Sequence, residues 1–161
     1  MTTGELLADE LRHALRGDAW HGPALREVVA GVTADEAVQR PIPKAHNMWE
    51  LVLHITSWCN IALRRIEGGP PEAFDGEDWP EPGEISLGRW EAITREMEES
   101  HERLCRTVEG LTDAQLEALA PGSARSVAFM LHGVAQHDAY HGGQISLLRK
   151  LVTTQQRRAA I

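Results

Sequence analysis

Apolar positions recur at steps of three and four residues along most of this chain, the period of helices that each bury one face. Leu7, Leu11, Ala14 and Leu15 keep that step between Glu5 and Arg16, and Gly17-Asp18 ends the run. Turn chemistry follows from Asp18 to Gly22. Pro23 is then placed as the first residue of a short helix over Ala24 to Ala30, with Leu25, Val28 and Val29 on its apolar face. Thr33-Ala34-Asp35-Glu36 is a capping box, in which the Thr hydroxyl and the Glu carboxylate satisfy each other's backbone N–H groups. It predicts another short helix towards Arg40, stopped by Pro41-Ile42-Pro43. Asn47-Met48-Trp49-Glu50 repeats the signature and opens a long helix to about Glu67, broken by Gly68-Gly69-Pro70-Pro71. Ser86 caps a further long helix with the stripe Trp90, Ile93, Met97, His101, Leu104 and Val108, closed at Gly110. Thr112 starts a short helix that ends before Pro121-Gly122, and the last long helix runs from near Ser126 to about Leu151.

No segment alternates apolar and polar residues as a half-buried strand would. The pattern therefore predicts an all-α fold, a four-helix bundle with short extra helices in the connections, and one domain over residues 1–161. Two positions stand out. Gly142 and Gly143 fall inside the last helix, where each Gly costs about 0.8–1 kcal/mol relative to Ala, so a close neighbouring backbone or a ligand is expected there. Gly68 to Ile85 is rich in Gly, Pro and acid and longer than most connections. It is expected to cross one end of the fold and help to cover a pocket.

Charge narrows the partners. A formal net charge of −8 argues against nucleic acid, which requires clustered Lys and Arg to neutralise phosphates. No apolar run is long enough to span a bilayer and the first residues carry no basic leader, so no membrane association and a cytoplasmic location are expected. Cys59 and Cys105 lack CxxC spacing and read as buried free thiols; Cys59, about 140° round the helix from His54, is a poor co-ligand.

The candidate chemistry lies in the histidines. His137 and His141 stand four residues apart, 40° round one helix face, on the stripe that also holds Met130, Val134, Ile145 and Leu148. Both are therefore expected to be buried, and two buried imidazoles cost free energy unless something accepts them. A divalent metal would, with His54 as third ligand from the face of Leu51, Ile55, Trp58 and Ala62. His101, also on an apolar stripe, competes as a fourth ligand or as a group behind the ligands. His132 faces away, His13 points to solvent, His46 precedes a cap, and His21 sits in a turn beside Trp20. Three neutral imidazoles suit zinc, nickel or iron(II) and leave a coordination position open for water or substrate. Asp138, Tyr140 and Gln144 are near enough in sequence to stand beside the ligands.

Asn47-Met48-Trp49-Glu50-Leu51-Val52-Leu53-His54-Ile55, followed by the run Gly133 to Ile145 with its His137-Asp138-Ala139-Tyr140-His141, resembles the DinB-like superfamily and its YfiT-type metal-dependent hydrolases. Trp20-His21-Gly22-Pro23 also resembles a feature of one branch. The resemblance runs from about Leu6 to Leu151. It implies an up-down-down-up bundle, a metal on His54, His137 and His141, and a homodimer. It further implies a small-molecule substrate and a low-molecular-weight-thiol S-transferase, the thiol being a cosubstrate that the metal holds as thiolate. The alternatives are a hydrolase using metal-bound water, for which Glu50 or Asp138 would have to serve as base, and a metal- or small-molecule-binding helical module without turnover.

Overall fold

The computed structural model describes residues 1–159, and among them every regular element is a helix. The only β pairing among the described residues is an isolated bridge between Leu119 and Ser126. Capping chemistry places most helix starts where the sequence marks them. Helix α1 (Thr3–Leu15) starts two residues ahead of the expected Glu5, on Thr2, whose hydroxyl accepts from the Glu5 N–H while Glu5 accepts from the Thr2 N–H. The same reciprocal bonds open α3 (Ala34–Ala37) from Thr33, α4 (Met48–Ile66) from Asn47 and α6 (Asp113–Glu117) from Thr112. Ser86 caps α5 (Leu87–Glu109) and Gly110 ends it.

Two other helices also depart from the sequence expectation. Helix α2 covers Leu25–Val29, and Pro23 lies outside it: the Glu27 carboxylate accepts the Ala24 N–H at 2.8 Å, so Ala24 is the cap. Helix α7 covers Val127–Ala159 and passes well beyond Leu151. Nothing in Val152-Thr153-Thr154-Gln155-Gln156-Arg157-Arg158 is a Gly or Pro, so no residue there breaks the helix.

The long helices pack pairwise: α1 lies against α5 and α7, and α4 lies against the same two. Helix α4 is the most enclosed, with 12 of its 19 residues buried against 8 of 23 in α5. Its polar side chains must therefore find partners inside the protein. One apolar cluster joins Trp49, Val52 and Ile55 of α4 to Trp90, Ile93 and Met97 of α5 and Ile145 and Leu148 of α7. A second joins Leu7 and Leu11 of α1 to Leu104 and Val108 of α5 and Leu131 and Val134 of α7. Each fully buried Leu, Ile or Met contributes about 1.5–3 kcal/mol. That exceeds the roughly 1 kcal/mol of a typical cap, and the buried side chains far outnumber the caps, so packing holds the helices and the caps set their ends.

The two glycines of α7 differ. No backbone comes close to either: a Cβ on Gly142 would meet only the Leu25 side chain of α2, at 3.4 Å, and a Cβ on Gly143 would meet nothing within 4 Å. The segment from Gly68 to Ile85 folds back along α4. It contacts α4 from His54 to Arg65: Ser57 Oγ donates to the Glu77 carbonyl, Trp58 Nε1 donates to Asp78 Oδ1 at 2.7 Å, and Arg64 pairs with the Glu77 carboxylate. Arg64 in turn holds the Glu77 carboxyl below its ordinary range, against a smaller opposing effect of burial.

Candidate metal centre

His54 projects from the middle of α4, and His137 and His141 project from consecutive turns of α7, the helix packed beside it. One ring nitrogen of each lies within 4.8 Å of the others. The spacing of the two Nε2 atoms of His54 and His137 is 3.0 Å. Two nitrogens sharing a cation at 2.0–2.1 Å stand about 2.9–3.4 Å apart for angles between octahedral and tetrahedral, so this spacing suits a common ligand.

The outer nitrogens fix how two of the rings face. His54 Nδ1–H donates to the Asp78 carbonyl at 2.5 Å, and His141 Nδ1–H donates to Gln144 Oε1 at 2.6 Å. Each bond puts the ring proton outside and leaves the Nε2 lone pair free to face inward, as an outer acceptor does for a metal-ligating His. Burial, with the neighbouring His141 adding to it, holds His137 down to about 4; burial lowers His141 too, against the Gln144 hydrogen bond. At neutral pH both are therefore uncharged imidazoles, the form that donates a lone pair. Three lone-pair donors with no carboxylate between them fit a borderline transition ion better than calcium or magnesium.

The buried stripe is not quite as the sequence predicts. His54 and His141 are buried, but His137 is only partly so, and the residue driven fully inward is its neighbour Asp138. Asp138 is no surface group and does not reach the cluster as a base. Its Oδ2 lies 3.1 Å from His101 Nε2 of α5, and neither side chain is more than 1% exposed. His101 Nδ1–H donates to the Met97 carbonyl at 2.7 Å. Both nitrogens of that ring are engaged, and it lies outside the three-His group. Burial opposes a proton on His101, but Cys59 and Asp138 beside it outweigh that and hold its pKa well above the ordinary imidazole value. Glu50, the other carboxylate considered as a base, is spent at the start of α4 on Arg40, His46 and the Asn47 N–H. Burial acts to raise its pKa, yet those partners leave it lowered.

The remaining histidines behave as surface groups. His132 pairs with Glu10 at 2.9 Å, His13 sits half-exposed against Asp9, and His21 is exposed beside a fully exposed Trp20. Cys59 and Cys105 are free and buried, and neither belongs to the three-His group. Burial pushes the Cys105 thiol up to about 11.

The connection between α4 and α5 helps to line both cavities, as expected from its length and composition, through Asp78 and Trp79; sequence reasoning missed that these two residues contact His54. Trp79 is sandwiched between His46 and His54, with ring centroids at 3.5 and 3.8 Å and near-parallel planes. Asp78 supplies the carbonyl that orients His54. A lone Trp inside an acidic, Gly- and Pro-rich segment was the available signal. Two cavities meet at the cluster. One, of about 500 Å³, has His54, His137 and His141 in its wall with Trp58, Met130 and Val134; the other, of about 400 Å³, is bounded by Leu51, Trp79, Gln144 and Leu148. His141 and Tyr140 line both.

A sequence profile described as the DinB superfamily matches residues 19–145, a span that takes in all three histidines. The chain belongs to the DinB superfamily. No curated relative and no solved structure matches it. The all-α architecture and the grouped imidazoles are what a metal-binding DinB-like protein requires. No helix among the described residues is long and apolar enough to cross a membrane.

Proposed function

We propose that this DinB-superfamily protein is a metal-dependent enzyme that transfers a low-molecular-weight thiol to an electrophilic small molecule. His54, His137 and His141 would hold a zinc, nickel or iron ion. The observation that carries the reading is the meeting of two cavities at one cluster of three imidazoles. A transferase must bring two molecules to one point, and an arrangement with separate approaches to His141 gives room for both. When bound, the metal supplies Lewis acidity that favours thiolate over thiol.

The chain's own residues do the rest. The Asp78 carbonyl and Gln144 keep His54 and His141 aimed inward. Trp79 covers one face of His54 and limits access of water from that side. Trp58, Met130 and Val134 give the larger cavity an apolar wall that selects a molecule with an apolar body. Hydrolysis is less well supported, since a water nucleophile needs a base and the two carboxylates considered for that role are engaged elsewhere. Homodimerisation and a cytoplasmic setting accord with this reading and belong to the same proposal.

The test is turnover. Protein purified without a polyhistidine tag, with its metal measured, is incubated with small thiols and aryl or alkyl electrophiles. Thioether formation that depends on thiol and is lost on metal removal is expected. Full metal occupancy with no thiol consumption would leave a binding module, and product formation without thiol would favour hydrolysis.

A further inference from the structure

The larger cavity contains one Lys or Arg side chain, Arg65, in the last turn of α4. Its surroundings differ from those of Arg64 next to it. Arg64 spends both terminal nitrogens on Glu77 and on the Glu72 carbonyl. Arg65 makes a single fixed bond, Nε–H to the Pro71 carbonyl at 2.7 Å, and its guanidinium lies 6.0 Å from the Trp58 ring centre. Among the described residues no carboxylate lies within 4.0 Å of it. Other arginines without a carboxylate partner, such as Arg95 and Arg106, line other cavities; what sets Arg65 apart is its place in the cavity that holds the three histidines. The bond through Nε holds the planar group in place while leaving its two terminal nitrogens open, the edge that binds a carboxylate with two parallel hydrogen bonds. The one acid in the wall, Asp78, has its Oδ1 bonded to the Trp58 indole and 3.4 Å from His54 Nδ1.

We propose that this cavity takes a small organic acid with an apolar, preferably aromatic, body, its carboxylate held by Arg65 and its body lying along Trp58, Met130 and Val134 towards the three histidines. The assignment rests on the reading above only in taking the cavity as the place of the electrophilic substrate. The anion site itself requires no metal.

The probe is 3-phenylpropionate against its uncharged amide, titrated by ligand-observed NMR into the full-length chain, both metal-free and metal-loaded. Metal-free wild type is expected to prefer the acid by about tenfold or more, as a charge-assisted pair implies. Arg65→Gln abolishes that preference, Arg65→Lys keeps part of it, and circular dichroism shows both variants folded. Equal binding of acid and amide by wild type overturns the inference whether or not the variants fold. So does absence of binding at millimolar probe, or a preference that survives in Arg65→Gln. A preference seen only with metal loaded places the carboxylate on the cation and overturns it as well. Metal stoichiometry on the same samples separates the two readings: normal metal without acid preference removes only the anion site, whereas acid preference without metal binding removes only the metal centre.

Discussion

Two interior sites share adjacent residues of α7 and treat imidazole in opposite ways. At His137 the chain gathers three histidines against a cavity, with the Asp78 carboxylate meeting only the outer nitrogen of His54, at 3.4 Å. One step along, Asp138 turns into the core and meets a single histidine, His101, with both groups sealed from solvent. In the first site burial and neighbouring imidazoles push protons off; in the second, Asp138 and Cys59 keep a proton on despite burial. Residue type does not decide whether a core histidine can bind a metal. What differs here is where the acid stands: Asp138 meets His101 Nε2 directly, whereas Asp78 faces the outer nitrogen of His54 and leaves its Nε2 open.

The largest effect that would sharpen this contrast is on metal content. Alanine at His137 or His141 should remove most bound metal by elemental analysis, exceeding the roughly 10–100-fold loss typical when only an outer partner is deleted. His101→Ala should leave stoichiometry unchanged wherever the protein folds; loss equal to that of His141→Ala would collapse the distinction. Next comes stability. Asp138→Ala strands a buried, protonated His101 and should cost about 3–5 kcal/mol in denaturant unfolding of metal-free protein, as removing one partner of a buried pair does. A cost below 1 kcal/mol would mean that the pair is not charged.

The smallest effect is on pH dependence, and the two sites should give opposite signs. His137 and His141 have folded pKa values below 6.5, so the unfolded chain binds more protons there. Their contribution makes the metal-free protein lose stability as pH falls from 6.5 towards about 4. His101, with its folded value above 6.5, contributes stability that is fully present below 6.5 and lost as pH rises through that folded value. Unfolding followed across pH in His137→Gln and His101→Gln should flatten the acidic and the alkaline limb respectively. Flattening of the same limb in both would break the comparison.

Most of the helical framework and the three converging histidines could be read from sequence because both depend on short-range rules. Capping boxes at Thr33, Asn47 and Thr112 act over three residues, and His137 and His141 share a face because of helical pitch alone. His54 could be paired with them because it lies on an apolar stripe, which implies a facing helix. What escaped was set by contacts between distant segments. The inward turn of Asp138 depends on a partner 37 residues away on α5, and a local pattern has no access to that. Gly143 looked like a second contact point from its composition, yet it faces open space, because the α2 side chain that approaches α7 reaches only Gly142. Arg65 was indistinguishable from any helix-ending arginine until the path of the following segment showed which of its neighbours had taken the acid.

The bond from His54 to the backbone at Asp78 joins residues 24 positions apart in sequence. Its acceptor belongs to the main chain, so no side-chain replacement at that position can delete it directly. Shortening or lengthening the turn-rich stretch that carries it would rotate the imidazole instead. The histidine's aim is thus written in the spacing of a connection as much as in the residues it carries.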